Sequence, residues 1–94
     1  MGWVEIEEFS LITGVDEAAF AARDAELQAW SYLHRPNLVR RTTALGDGGR
    51  ALVVTLFSGD ARPGPPPGDS EVVVGFTSLA DPTSYRRVCY RDLG

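Results

Sequence analysis

Apolar residues alternate with polar ones in some stretches of this chain and recur at helical spacing in others. From Trp3 to Ile12 the residues Val4, Ile6, Phe9 and Leu11 alternate imperfectly, which predicts a first strand. Gly14 breaks that pattern. Asp16 can cap a helix, although Ala19 stands where a full capping box has Glu. From Glu17 to about His34 the residues are strong helix formers, many of them alanine. Pro36 ends the helix, because the residue before a proline avoids the α region, and Asn37 falls in the turn.

Leu38 to Leu45 and Ala51 to Ser58 read as strands around the glycine knot Gly46-Asp47-Gly48-Gly49. Glycine tolerates the positive φ angles of tight turns, so this is a hairpin signal. In the first of these strands Val39, Arg41, Thr43 and Leu45 share one face, and Leu38, Arg40, Thr42 and Ala44 share the other. The second is apolar at nearly every position, as a central or a doubly covered strand would be. Gly59 to Gly68 contains Arg62-Pro63-Gly64-Pro65-Pro66-Pro67-Gly68, which excludes helix and sheet interior and predicts a stiff surface loop. Asp69 or Ser70 can cap a second helix, in which Val72, Val73, Phe76, Leu79 and Ala80 fall at helical spacing. The Val-rich run has strand propensity. The loop before it and the Asp81-Pro82 exit after it bracket a helical length. Thr83 to Leu93 is the last strand, with Tyr85, Arg87, Cys89 and Arg91 on one face.

The order βαββαβ within 94 residues predicts one α+β domain, 1–94, of ferredoxin-like layout, with an antiparallel sheet and helices on one face. A chain this short buries a modest fraction of its surface, so a second copy that hides more would help. A hydrophobic fraction of 44% argues against disorder. The net charge of −4 disfavours nucleic acid and anionic membranes as partners. No apolar run nears the roughly 18 residues of a membrane span. The N-terminus lacks a signal-peptide pattern, and the single cysteine, Cys89, forbids an internal disulfide. A cytoplasmic setting is expected on those grounds. All 9 basic residues are arginine, which excludes lysine Schiff-base chemistry.

Five segments carry a family resemblance. Phe20-Ala21-Ala22-Arg23-Asp24-Ala25-Glu26-Leu27-Gln28 leads into Pro36-Asn37-Leu38-Val39-Arg40-Arg41-Thr42-Thr43. The glycine turn and Leu52-Val53-Val54-Thr55-Leu56-Phe57 follow, and Asp81-Pro82 precedes the last strand. Together these resemble the dimeric α+β barrel superfamily that includes the antibiotic biosynthesis monooxygenase-like proteins. The resemblance implies a homodimer with a pocket in each subunit between its sheet and helices. It also implies a choice of activities: cofactor-free oxygenation of quinol-like substrates, polyketide cyclisation, haem degradation, or isomerisation and dehalogenation of small aromatic compounds. Fold alone does not choose among them. Two departures bear on the choice. Prolines replace the helical segment that relatives have soon after the third strand. The haem-degrading members use a histidine on the second helix, and this chain has none there.

The candidate site residues follow from faces. Phe20, Asp24, Leu27, Gln28 and Ser31 share a face of the first helix. A carboxylate at Asp24 in a dry pocket would accept a proton from a phenol or enol, and Gln28 would hold a substrate carbonyl. The alternative places both at the solvent edge, with Asp24 pairing an arginine. His34, the only histidine, is a general base or a water-facing group at the helix end. Arg40 and Arg41 point to opposite faces. The resemblance, through its Arg-Thr pair at Arg41-Thr42, implies Arg41 as the inward one, either steadying an oxyanion or pairing with Glu5, Glu7 or Glu8. Phe20, Gln28, Tyr32, Phe57 and Phe76 are the expected substrate-binding residues, with Trp30, Tyr85 and Tyr90 as further aromatic walls. No metal-ligand cluster, phosphate loop or Ser-His-Asp order is present. The expected function is natural-product tailoring without cofactor or metal. A planar, acidic, polyketide-like substrate would lose a proton to Asp24 or His34, in a monooxygenase or a cyclase. The alternative is a ligand-binding or interaction module without catalysis.

Overall fold

A computed structural model describes residues 1–94. The strands are β1 (Gly2–Ser10), β2 (Leu38–Leu45), β3 (Arg50–Ser58) and β4 (Arg86–Asp92), and the helices are α1 (Glu17–His34) and α2 (Glu71–Thr77). They follow one another as β1-α1-β2-β3-α2-β4. All three ladders are antiparallel and the sheet order is β2-β3-β1-β4. This is the ferredoxin-like α+β layout that the element order predicts.

Local chemistry sets the boundaries. The Asp16 carboxylate accepts from the Ala19 amide at 2.7 Å and so satisfies one of the free donors at the start of α1. At its other end the chain turns extended at Arg35, just before Pro36. Gly48 and Gly49, at φ of 67° and 74°, make the hairpin turn. Three limits differ from the sequence reading. β1 stops at Ser10, and Leu11 continues only as an isolated bridge to Ala80. α2 ends at Thr77, so Leu79 and Ala80 lie beyond it. β4 begins at Arg86 because Asp81 holds a turn first. Its carboxylate accepts from the amide and hydroxyl of Thr83 at 3.0 and 2.8 Å.

Phe9 centres the core, edge-on to Phe20 and Phe76 at 6.2 and 5.7 Å between ring centroids. Leu27, Ala51, Val53, Val73 and Ala80 complete it. α1 packs against α2 and β2. The inner face of β4 therefore meets the proline-rich segment Gly59–Gly68, here called the strap, through Arg87. The opposite face of the sheet carries Val4, Ile6, Leu52, Val54, Leu56, Val88 and Tyr90 and is covered by no helix. Cross-strand register puts Glu5 opposite both Thr55 and Cys89, and Arg41 opposite Thr55. A polar row thus crosses the inner face beside the apolar row of Phe9 and Ala51.

Candidate functional site

The polar row is built on Glu5, whose side chain is wholly buried. A buried carboxylate without partners costs several kcal/mol. Arg35, placed by the end of α1, closes a two-pronged fork on it at 2.8 and 2.9 Å. Arg87 adds a third bond through Nε at 2.8 Å. Burial pushes the Glu5 carboxyl up, but the hydrogen bonds and charges of Arg35 and Arg87 outweigh it and hold the group below its ordinary range. The free Nη2 groups of the two arginines reach the strap: Arg35 donates to the Gly64 carbonyl at 2.9 Å and Arg87 to the Pro63 carbonyl at 2.8 Å.

A second ion group joins α1 to β2. Arg41 faces inward as expected, and its counter-ion is Asp24 at 2.8 Å rather than Glu5, Glu7 or Glu8. The Gln28 side-chain oxygen accepts a longer bond from Arg41 at 3.4 Å, and the Thr43 hydroxyl donates to Asp24 at 2.7 Å. The Arg41 amide donates to the Tyr32 hydroxyl at 3.1 Å. Asp24, Gln28, Tyr32 and Arg41 are therefore brought together, with Asp24 engaged by a cation and a hydroxyl. The Arg41 guanidinium also covers the Phe76 ring at 5.5 Å.

The other expected residues are spread out. Phe20 and Phe76 meet in the core at 5.5 Å. Phe57 lies at the far end of the interior beneath the Arg35 guanidinium, 4.7 Å from its ring centroid. His34 is exposed on the last turn of α1, against Trp30.

Beside the core lies a cleft of about 240 Å³, lined by Glu7, Phe9, Phe76, Thr77, Ala80, Pro82 and Tyr85. Two polar groups face each other across its apolar walls. The Tyr85 hydroxyl donates to Glu7 at 2.5 Å, and the Tyr85 ring stacks on Phe9. Burial, reinforced by the negative charge of Glu5, pushes the Glu7 carboxyl above its ordinary value. Burial and the adjacent Glu7 charge push the Tyr85 phenol up as well. A carboxylate with a raised pKa in an apolar cleft is suited to accepting a proton. A wider, shallower groove of about 490 Å³ runs between α1 and β2 past Asp24 and Thr43.

The sequence reading offered Glu7 only as a partner for Arg41, and Tyr85 only as a wall. The signal that could have found Glu7 is the period of two: stepping back from the core residue Phe9 puts Glu7 and Glu5 on the same inward face. No group of three His, Cys, Asp or Glu side chains is placed to hold a metal. No helix is long and apolar enough to cross a membrane.

No family model, no curated protein and no solved structure matches this chain. The class that the fold defines is a small ferredoxin-like α+β domain.

Proposed function

We propose that the chain is a cofactor-independent tailoring enzyme that removes a proton from a small, planar phenol or enol bound in the Glu7–Tyr85 cleft. The observation that carries this reading is a carboxyl with a raised pKa facing apolar walls and a single phenol. Ionised Glu7 takes the substrate proton. Tyr85 then donates to Glu7 or to the new oxyanion. The carbanion form reacts with dioxygen in a monooxygenase, or with a carbonyl of the same molecule in a cyclase. The proposed base is thus Glu7, in place of Asp24 or His34. Arg41, braced by Asp24 and Gln28, backs the Phe76 wall.

The cleft's 240 Å³ is below the roughly 300–1,000 Å³ of drug-sized pockets and suits a substrate of one or two rings. The apolar outer sheet face supports the proposed homodimer, since two such faces would cover each other. The lone cysteine supports a cytoplasmic setting. The second reading is a binding module without catalysis. It is favoured by Asp24, which an arginine and a hydroxyl already engage, and by His34, which faces water.

Native mass spectrometry of protein from its own host would identify a copurified organic molecule, whose turnover is then followed. Loss of turnover with retained binding in Glu7→Gln supports the enzyme. Undiminished turnover in that variant contradicts the assigned base. A bound molecule that wild type never converts supports the binding module.

A further inference from the structure

Glu5 is the one carboxylate that bonds Arg35 and Arg87; Glu7, the cross-strand partner of Arg87, bonds Tyr85 instead. Arg35 and Arg87 bring two positive charges to one carboxylate, and both guanidinium groups are largely withdrawn from water. The acceptors on their remaining Nη2 groups are neutral peptide carbonyls, Gly64 and Pro63, from adjacent residues of the strap. A carboxylate adds the attraction of opposite charges to the hydrogen bonds it accepts from a guanidinium, which a neutral carbonyl does not. Thr55, directly opposite Glu5, has a wholly buried hydroxyl without a partner, so this interior is short of polar partners.

The strap is suited to moving aside. No residue from Gly59 to Asp69 makes a backbone–backbone hydrogen bond. Besides the two arginine contacts, its polar ties to the body are both at Trp3: the indole N–H donates to the Asp60 carbonyl at 3.1 Å, and the Arg62 guanidinium lies 5.7 Å from the ring centroid. The chain from Pro65 to Asp69 has no hydrogen bond to the body. The cleft is close by, because Arg87 is the cross-strand partner of Glu7.

We propose that Arg35 and Arg87 form a carboxylate-binding site whose place the strap carbonyls take, and that a small aromatic carboxylate displaces the strap and puts its ring in the Glu7–Tyr85 cleft. The carboxylate accepts from both Nη2 groups, a charged acceptor where the strap offers two neutral carbonyls. The strap then acts as a competitor for its own site. This inference takes the cleft of the proposed function as the place of the ring, but it does not need catalysis.

The test is calorimetric titration of the full chain with benzoate and with benzamide, the neutral shape-mimic, at about 0.15 M salt, near physiological ionic strength. Benzoate is expected to bind at least tenfold more tightly than benzamide. Arg87→Gln is expected to erase that preference. Trp3→Leu, which loosens the strap without touching the buried ions, is expected to tighten benzoate binding at least threefold. In Trp30→Phe, where Trp3 is the one remaining indole, benzoate is expected to shift the emission as the strap leaves. Equal affinity for the two probes overturns the carboxylate site and leaves the cleft standing. Binding of neither probe overturns both. Unchanged or weaker benzoate binding in Trp3→Leu overturns the strap as competitor.

Discussion

Arg35, the first residue beyond α1, grips Glu5 in the middle of β1 through two hydrogen bonds of 2.8 and 2.9 Å. This contact fixes the end of the long helix over the centre of the sheet. Removing one partner leaves the other as a buried charge, which typically costs about 3–5 kcal/mol. Arg87 remains on Glu5 in Arg35→Ala, so the loss should lie near the lower end of that range. Urea unfolding checks this. A loss under about 1 kcal/mol would equate the contact with a surface ion pair.

Asp24 and His34, the two acid–base candidates read from the first helix, should behave oppositely. Asp24→Ala strands Arg41, whose side chain is 3% exposed, and should cost about 2–5 kcal/mol. His34→Ala changes an exposed residue and should stay within about 0.5 kcal/mol. Thermal unfolding of the two variants distinguishes these outcomes. Equal losses would contradict the ion group joining α1 to β2.

Gly2 approaches the Phe57 carbonyl so closely that an added Cβ would lie 2.0 Å from its oxygen. The atoms it would meet are all backbone of Phe57 and Ser58, which cannot swing aside as a side chain could. Gly2→Ala should therefore cost about 1–3 kcal/mol or more, as overpacked sites do. Gly64, whose Cβ position is open, should accept alanine without loss. A comparison of the two melting temperatures checks the pairing of β1 with β3.

Much of this architecture is written locally. Gly48 and Gly49 mark the hairpin because their φ angles suit few other residues, and Pro36 marks the end of α1. Val72-Val73-Val74 forms helix against its propensity because Val73 and Phe76 then reach the core together. The site is less legible. Arg35 meets a carboxylate thirty positions away, and no local pattern announces such a pairing. Strand alternation puts one of Arg40 and Arg41 inward without saying which, and the pairing of Arg41 with Asp24 depends on where α1 lands. Period two puts Tyr85 on the same face as Arg87, but its bond to Glu7 depends on β4 lying beside β1, which the sequence pattern does not state.

Stability should depend on pH in two opposed ways. The folded state holds Glu5 below its ordinary value of 4.5, so this group stabilises the fold above that pH and the contribution is lost as pH falls through the folded value. The folded state holds Glu7 above 4.5, so the fold favours its protonated form. That contribution is complete below 4.5 and is lost as pH rises through the folded value. Glu7→Gln should flatten the decline above pH 4.5 and leave the acid limb in place. Denaturant midpoints across the pH range test this, and an unaltered decline would assign it to another group.

The central claim is that Glu7 is a proton acceptor tuned by its cleft. Carbon-detected NMR titration of its side-chain carboxyl, assigned by the signal lost in Glu7→Gln, tests it most directly. The account predicts an inflection above 4.5 that moves higher in Tyr85→Phe, because the Tyr85 hydrogen bond lowers the value that burial raises. An inflection at or below 4.5 would make Glu7 an ordinary surface carboxylate and contradict the proposed chemistry.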